Sequence, residues 1–189
     1  MAILLTGFEP FDGAETNPSW EAVSRVPDEI EGHEVYRLRL PVVYGEAGRL
    51  LTEAIARLRP QLVISCGVAN GRQAVTPELV AINYRYARIP DNAGNQHSGD
   101  AIDPAGPAAY MTSLPVHGMI EAVKAEGIPC ALSLSAGAYV CNDVYYALLA
   151  AEKGFGHKGL FIHVPGADVA DADAAARAVA LCAAFALRT

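Results

Sequence analysis

A cysteine that opens a helix, a histidine that closes an apolar strand and a glutamate at the end of another strand face are the residues here that could do covalent chemistry together. Cys141 stands in Ser135-Ala136-Gly137-Ala138-Tyr139-Val140-Cys141-Asn142. Before it, Cys130-Ala131-Leu132-Ser133-Leu134 reads as a short buried strand bounded by Pro129; after it, Val144, Leu148 and Ala151 recur at helical spacing. A thiol in the first turn of a helix sits beside unpaired backbone N–H groups and the positive end of the helix dipole, which favour its thiolate. His163 lies near the carboxyl end of Gly159-Leu160-Phe161-Ile162-His163-Val164-Pro165, a second buried strand. Glu78 shares a period-two face with Val80, Ile82 and Tyr84, and a carboxylate there must be solvated or paired with a cation. Together these are a nucleophile, a base to take its proton and an acid to orient the base. Taken singly each has a duller role: free cysteine packs as a small hydrophobe, strand histidine bonds within the core, and a strand-end glutamate is solvated.

The elements that must position them follow from periodicity. Ile3-Leu4-Leu5 is a first strand, followed by the loop Gly7-Phe8-Glu9-Pro10-Phe11-Asp12-Gly13, whose two phenylalanines could wall an apolar pocket. Asn17-Pro18 reads as N-cap and first position of a helix with Trp20, Val23 and Val26. Glu34 to Leu40 alternates, with Tyr36, Leu38 and Leu40 on one side; Leu51, Ile55 and Leu58 mark a helix ending before Pro60; Leu62 to Cys66 is a fully apolar strand. It runs into Gly67-Val68-Ala69-Asn70-Gly71-Arg72, a loop where backbone can approach a ligand closely. Asp91 to Pro107 is a long polar loop, a lid or a mobile insertion. Val116, Ile120 and Val123 mark a helix closed at Gly127, and Ala172 to Leu187 is an Ala-rich helix. Alternating strands and helices predict a single α/β domain over 1–189, a three-layer α/β/α sandwich with a mostly parallel twisted sheet. In such folds ligands sit beyond the carboxyl ends of strands, where the Phe8/Phe11 loop, the Gly67 loop and the Cys141 turn converge.

Composition narrows the partners. A hydrophobic content of 52% with 19% charged residues describes a folded globular chain. A net charge of −7 with no basic cluster argues against nucleic acid, and no apolar run is long enough to span a membrane. The N-terminus has no basic region typical of a signal peptide, and the four cysteines have no CxxC spacing, so a cytoplasmic protein without metal or other cofactor is expected. Of the five histidines, His33, His97, His117 and His157 lie in polar or turn-like surroundings where exposure is expected.

Several blocks together resemble the pyroglutamyl peptidase I family of cysteine peptidases: Leu4-Leu5-Thr6-Gly7-Phe8-Glu9-Pro10-Phe11, Asn17-Pro18-Ser19, Glu78 with Ala81-Ile82-Asn83, Arg88-Ile89-Pro90-Asp91-Asn92, Ser135-Ala136-Gly137 through Cys141-Asn142, and Phe161 to Pro165. The resemblance covers nearly the whole chain. It implies removal of N-terminal pyroglutamate from peptides, with Cys141 as nucleophile, His163 as base then acid, and Glu78 orienting the imidazole. It also implies a lactam pocket lined by Phe8, Phe11 and Tyr139, Arg88 near the oxyanion, and a homotetramer. Val68, Asn70, Asp12 and Gly166-Ala167-Asp168 depart from the family pattern. Two other readings stand beside it: a phosphorolytic transferase on nucleosides, which leaves Cys141 without a role, and a binding protein that keeps the pocket without catalysis.

Overall fold

The structure, a computed structural model, describes residues 2–189. Its main sheet is built from β1 (Ala2–Phe8), β2 (Glu29–Ile30), β3 (His33–Leu40), β4 (Leu62–Val68), β5 (Thr76–Glu78) and, much later in the chain, β10 (Lys158–Val164), in the order β2-β3-β1-β4-β10-β5. The pairings β3-β1, β1-β4 and β4-β10 are parallel, whereas β2 and β5 run antiparallel at the two edges. Between β5 and β10 come β6 (Val80–Ile82), β7 (Arg85–Tyr86), β8 (Ser98–Asp100) and β9 (Ala109–Met111), paired in two small two-stranded sheets. The helices are α1 (Pro18–Arg25), α2 (Glu46–Leu58), α3 (Val116–Ala125), α4 (Val140–Phe155) and α5 (Ala172–Arg188).

Strand side chains alternate between faces, and this parity builds the two cores. Ile3, Leu5, Ile64, Cys66, Leu160 and Ile162 face one way and pack with residues of α1, α3 and α5. Leu4, Phe8, Val63 and Phe161 face the other way, toward α2 and α4. The same parity carries Gly67 and His163, in-register neighbours on β4 and β10, onto the α4 side at the carboxyl ends of the strands. Helix α1 lies close on the sheet because Gly7 lacks a side chain: a Cβ there would meet Ser19 O and Trp20 Cα at 2.8 Å. The expected cap is present, with Asn17 Oδ1 accepting from Ser19 N at 3.0 Å, and Ser19 Oγ accepts from Phe8 N at 3.0 Å.

Four expectations are corrected. Cys130 to Leu134 is no ladder strand: it pairs with the stretch from Val75 to Glu78 through two isolated bridges, Val75↔Cys130 and Glu78↔Ser133, and Leu134 is 64% exposed. Pro77 in β5 has no N–H to give to a continuous ladder. The period-two run through Glu78 is two strands, broken at Leu79, with Val80–Ile82 leaving the main sheet to pair with β9. Tyr36 is exposed, its hydroxyl donating to Glu34 at 2.7 Å, because it lies on a strand near the sheet's edge. His157 is buried, with Nε2 3.3 Å from Leu148 O.

If α1 rests on Gly7 as described, Gly7→Ala forces backbone against backbone. It should destabilise the chain by roughly 1–3 kcal/mol, the usual cost of overpacking a well-packed contact, read as a lowered urea midpoint at unchanged slope.

Candidate active site

The site begins with what the first turns of α4 hold. Tyr139 precedes the helix in extended backbone, and Gly137 takes φ +79°, a conformation glycine adopts without strain. Cys141 is the second residue of α4, and the three polar residues that follow it within about one turn, Asn142, Asp143 and Tyr145, are all tied to other parts of the fold. Asn142 accepts from Ile82 N at 3.0 Å and donates to Ile82 O and Tyr84 O at 2.8 and 3.1 Å. Asp143 accepts from Gly45 N at 2.8 Å and from Arg85 Nε at 2.5 Å. Tyr145 donates its hydroxyl to the backbone carbonyl of Glu78 at 2.8 Å. The helix start therefore cannot rotate without breaking several buried bonds, and the orientation of Cys141 is fixed with it.

Glu78 is fully buried, and its Oε1 accepts from His163 Nδ1 and from Arg72 Nη1, each at 2.7 Å. That bond holds the imidazole by Nδ1, and His163 and Cys141 both line the same cavity. The sulfur lies over Gly67, where a Cβ would meet Cys141 Sγ at 2.8 Å and Phe161 Cζ at 2.9 Å. Since Gly67 is the cross-strand partner of His163, thiol and imidazole are neighbours across one register step.

The electrostatics differ from the thiolate expected at a helix start. Burial, then the Glu78 charge, push the Cys141 thiol up to about 12, against the pull of Arg72 and of its own backbone N–H. A helix terminus contributes about 0.3–1 kcal/mol, whereas a tenfold change in an ionisation constant is roughly 1.4 kcal/mol, so burial wins. His163 is held below its ordinary value, by burial first, with Arg72 adding to the effect and Glu78 opposing it. Burial pushes Glu78 up, but it is held low by its bond to His163 and that residue's charge, then by the Ser133 hydroxyl, and last by the Arg72 charge. Burial thus favours the neutral form of both the thiol and the imidazole.

The cavity has a volume of about 170 Å³ and is walled by Phe8, Phe11, Val42, Val68 and Tyr139, with Asn17 and Cys141 also facing it. Phe11 lies against Tyr139 with ring centres 6.3 Å apart, and Tyr139 in turn meets Tyr44 edge-on at 5.5 Å. The Asp91 loop is no free lid near its start. Asp91 is buried and accepts from Tyr44 N, Ala93 N and Asn95 N at 2.8–2.9 Å, Asn92 Nδ2 donates to Glu9 Oε1 at 2.8 Å, and Pro90 O accepts from the Tyr139 hydroxyl at 3.0 Å.

All three triad candidates and Phe8, Phe11 and Tyr139 thus meet at one place. Arg88 does not line the cavity: Ala87 N bonds to His97 O, and residues 88–90 run outward, exposed. The guanidinium beside the triad belongs to Arg72, which sequence reasoning left unassigned within its glycine-containing loop. Its Nη1 also donates to Thr76 Oγ1, and its Nη2 to Ser135 O at 3.0 Å. A buried glutamate requires a cation, but spacing along the chain could not choose among the nearby arginines. Among the departures from the family pattern, Val68 lines the cavity, while Asn70 and Asp168 come together over Gly166, where a Cβ would lie 3.2 and 2.5 Å from their oxygens.

Comparison with known proteins identifies the family and the fold. The family model described as pyroglutamyl peptidase matches residues 1–187. The chain belongs to the pyroglutamyl peptidase family. It is 46% identical over 166 residues to the pyrrolidone-carboxylate peptidase of Bacillus amyloliquefaciens, covering 86% of this chain and 77% of that one. To the enzyme of the same name from Levilactobacillus brevis it is 46% identical over 167 residues, 87% of this chain and 82% of that. The crystal structure of pyroglutamyl peptidase I from Bacillus amyloliquefaciens superposes with a TM-score of 0.93 at 41% identity, over 98% of this chain and 94% of that. Pyrrolidone carboxyl peptidase from Pyrococcus furiosus gives 0.94 at 33% identity, over 100% and 99%. The chain thus shares its fold with these structures over 98–100% of its length.

Gly67 is where the site tolerates least. Gly67→Ala should displace Cys141 Sγ or the Phe161 ring, destabilising the chain by roughly 1–3 kcal/mol and slowing alkylation of the Cys141 thiol, measured by mass spectrometry on the folded protein.

Proposed function

We propose that this chain hydrolyses the amide bond that follows an N-terminal pyroglutamyl residue, using Cys141 as nucleophile, His163 as base and acid, and Glu78 as the acid that orients His163. The observation that carries the reading is the buried Glu78–His163 bond at 2.7 Å, with its imidazole sharing an aromatic-walled cavity with Cys141. Because burial favours the neutral thiol, the first step is written as concerted. The Cys141 proton passes to Nε2 as sulfur bonds to the pyroglutamyl carbonyl carbon. The oxyanion is met by the Cys141 backbone N–H at the start of α4. Imidazolium then protonates the leaving amine as the C–N bond breaks, and water, deprotonated by His163, cleaves the thioester to free pyroglutamate. Pyroglutamate lacks a charged amine, so a pocket walled by Phe8, Phe11 and Tyr139 suits its lactam ring. With Arg88 exposed in the resting chain, no step is assigned to it.

Two further readings belong to the same proposal: assembly as a homotetramer, supported by the family resemblance, and a cytoplasmic location, supported by four cysteines that are all unpaired. Light scattering of the purified chain tests the first, and fractionation of the source cells tests the second.

The deciding experiment is cleavage of a pyroglutamyl-linked chromogenic amide by the full chain. Cys141→Ala should abolish it, and turnover that survives this change removes the thiol mechanism. Glu78→Gln should lower kcat by as much as about 10⁴-fold, the effect known for an orienting acid replaced by its amide. The pH dependence has a definite sign. His163 must be neutral to act as base and is held below its ordinary value, so kcat/KM should already be at its plateau at pH 7 and fall only in more acid solution, through the imidazole's lowered pKa.

A further inference from the structure

We propose that Arg72 is a positioning residue for this reaction: its guanidinium neutralises Glu78, so that the Cys141–His163 pair can exchange a proton, and it clamps the chain segment that leads to Cys141. The proposal rests on the triad reading above, and the geometry extends it to a residue on a separate loop.

Arg72 follows Gly71, whose φ of +88° turns the chain back beneath β5, and its own N–H bonds to Ala69 O at 3.2 Å. From there one guanidinium nitrogen reaches Glu78 Oε1 at 2.7 Å and Thr76 Oγ1, and another reaches Ser135 O at 3.0 Å. The side chain is 28% exposed and Glu78 is 0% exposed, so the cation sits between water and a carboxylate that has no water of its own. Glu78 Oε2 is buried without a hydrogen-bond partner, which leaves Oε1 to carry both of the side chain's bonds. A carboxylate in that condition is tolerable only with its charge balanced.

Two different partners could balance it, and they have opposite consequences. If His163 alone did so, the imidazole would be held as imidazolium and could not accept the thiol proton. With Arg72 in place Glu78 is already compensated, and the imidazole is free to cycle. The titratable and charged groups that face the pair are Glu78 from β5, Arg72 from the loop after β4, and Tyr139 and Tyr145 from α4 and its lead-in. Of these only Arg72 is cationic. After burial, Glu78 raises and Arg72 lowers both the thiol and the imidazole. The second contact acts through geometry. Ser135 begins the turn to Cys141, and residues 133–135 are otherwise fixed to β5 by Leu79 N to Ser133 O at 2.9 Å and Ser133 N to Pro77 O at 3.1 Å. Arg72 thus joins the acid's strand to the nucleophile's turn while remaining outside the cavity lining.

The test uses the full chain with Arg72→Met, which removes charge and clamp, and Arg72→Lys, which keeps the charge but has no second nitrogen for Ser135 O. Three quantities are read: kcat and KM on the pyroglutamyl amide across pH, the pH dependence of Cys141 alkylation by iodoacetamide, and the His163 titration by NMR. For Arg72→Met, kcat should fall roughly 10²-fold, the scale of a misplaced catalytic group, with KM nearly unchanged. Its imidazole and alkylation curves should both move to higher pH by about one unit, as expected when a nearby cation is lost. Arg72→Lys should restore both curves and leave kcat between the two. A folded Arg72→Met with wild-type titrations, or a change confined to KM, overturns the proposal. Should Arg72→Met fail to fold by circular dichroism, Arg72→Lys decides: wild-type kcat would overturn the clamp. If the wild-type chain does not cleave the amide, the peptidase reading fails, while alkylation and NMR still decide what Arg72 does to the pair.

Discussion

The burial of one carboxylate constrains everything at this site. Glu78 has no exposed surface, and removing such a charge from water costs several kcal/mol unless it is paired and hydrogen-bonded. The chain meets that requirement with His163 on the neighbouring strand and Arg72 on a loop from the next strand over, both at 2.7 Å. The consequence is mechanical as well as electrostatic, because the same bond that satisfies Glu78 fixes the imidazole by Nδ1. Breaking such a pair by removing one partner is strongly destabilising, so the orientation of His163 is held by the stability of the fold itself.

Helix α4 is the second half of the arrangement. Its first turns carry the thiol and, within four residues, the three polar groups that attach it to β6, to the start of α2 and to β5. Tyr145 reaches the backbone of Glu78, so the element that presents Cys141 also steadies the strand that presents the acid. The thiol in turn needs Gly67 to stay bare, since the sulfur fills the space a Cβ would take. Packing and polar bonding thus specify the same placement independently.

The pocket follows a similar logic at its rim. Phe8 ends β1 and Phe11 belongs to the loop after it, Tyr139 to the lead-in of α4, and the residues around Asp91 to the long connection between β7 and β8. Polar bonds add to the Phe11–Tyr139 ring contact in holding these three segments in mutual position, Glu9 to Asn92 and Tyr139 to Pro90, and Asp91 is further tied to Tyr44. An apolar wall is therefore presented by a scaffold of satisfied carboxylates and amides, and the loop that looked mobile by composition is pinned at its near end.

The sequence by itself determined the parallel strands, the five helices and the three candidate side chains Glu78, Cys141 and His163, because each of these leaves a local signature. Apolar runs of strand length, helical spacing, an Asn-Pro cap and a thiol at a helix start are all visible within a few residues. Only the tertiary structure decided which cation balances Glu78, that burial disfavours the thiolate, that Arg88 is exposed, and that Cys130 to Leu134 is no strand. The physical reason is common to all four. Charge pairing, desolvation and ladder bonding depend on distances between segments far apart along the chain, and no local pattern of residue types encodes those distances.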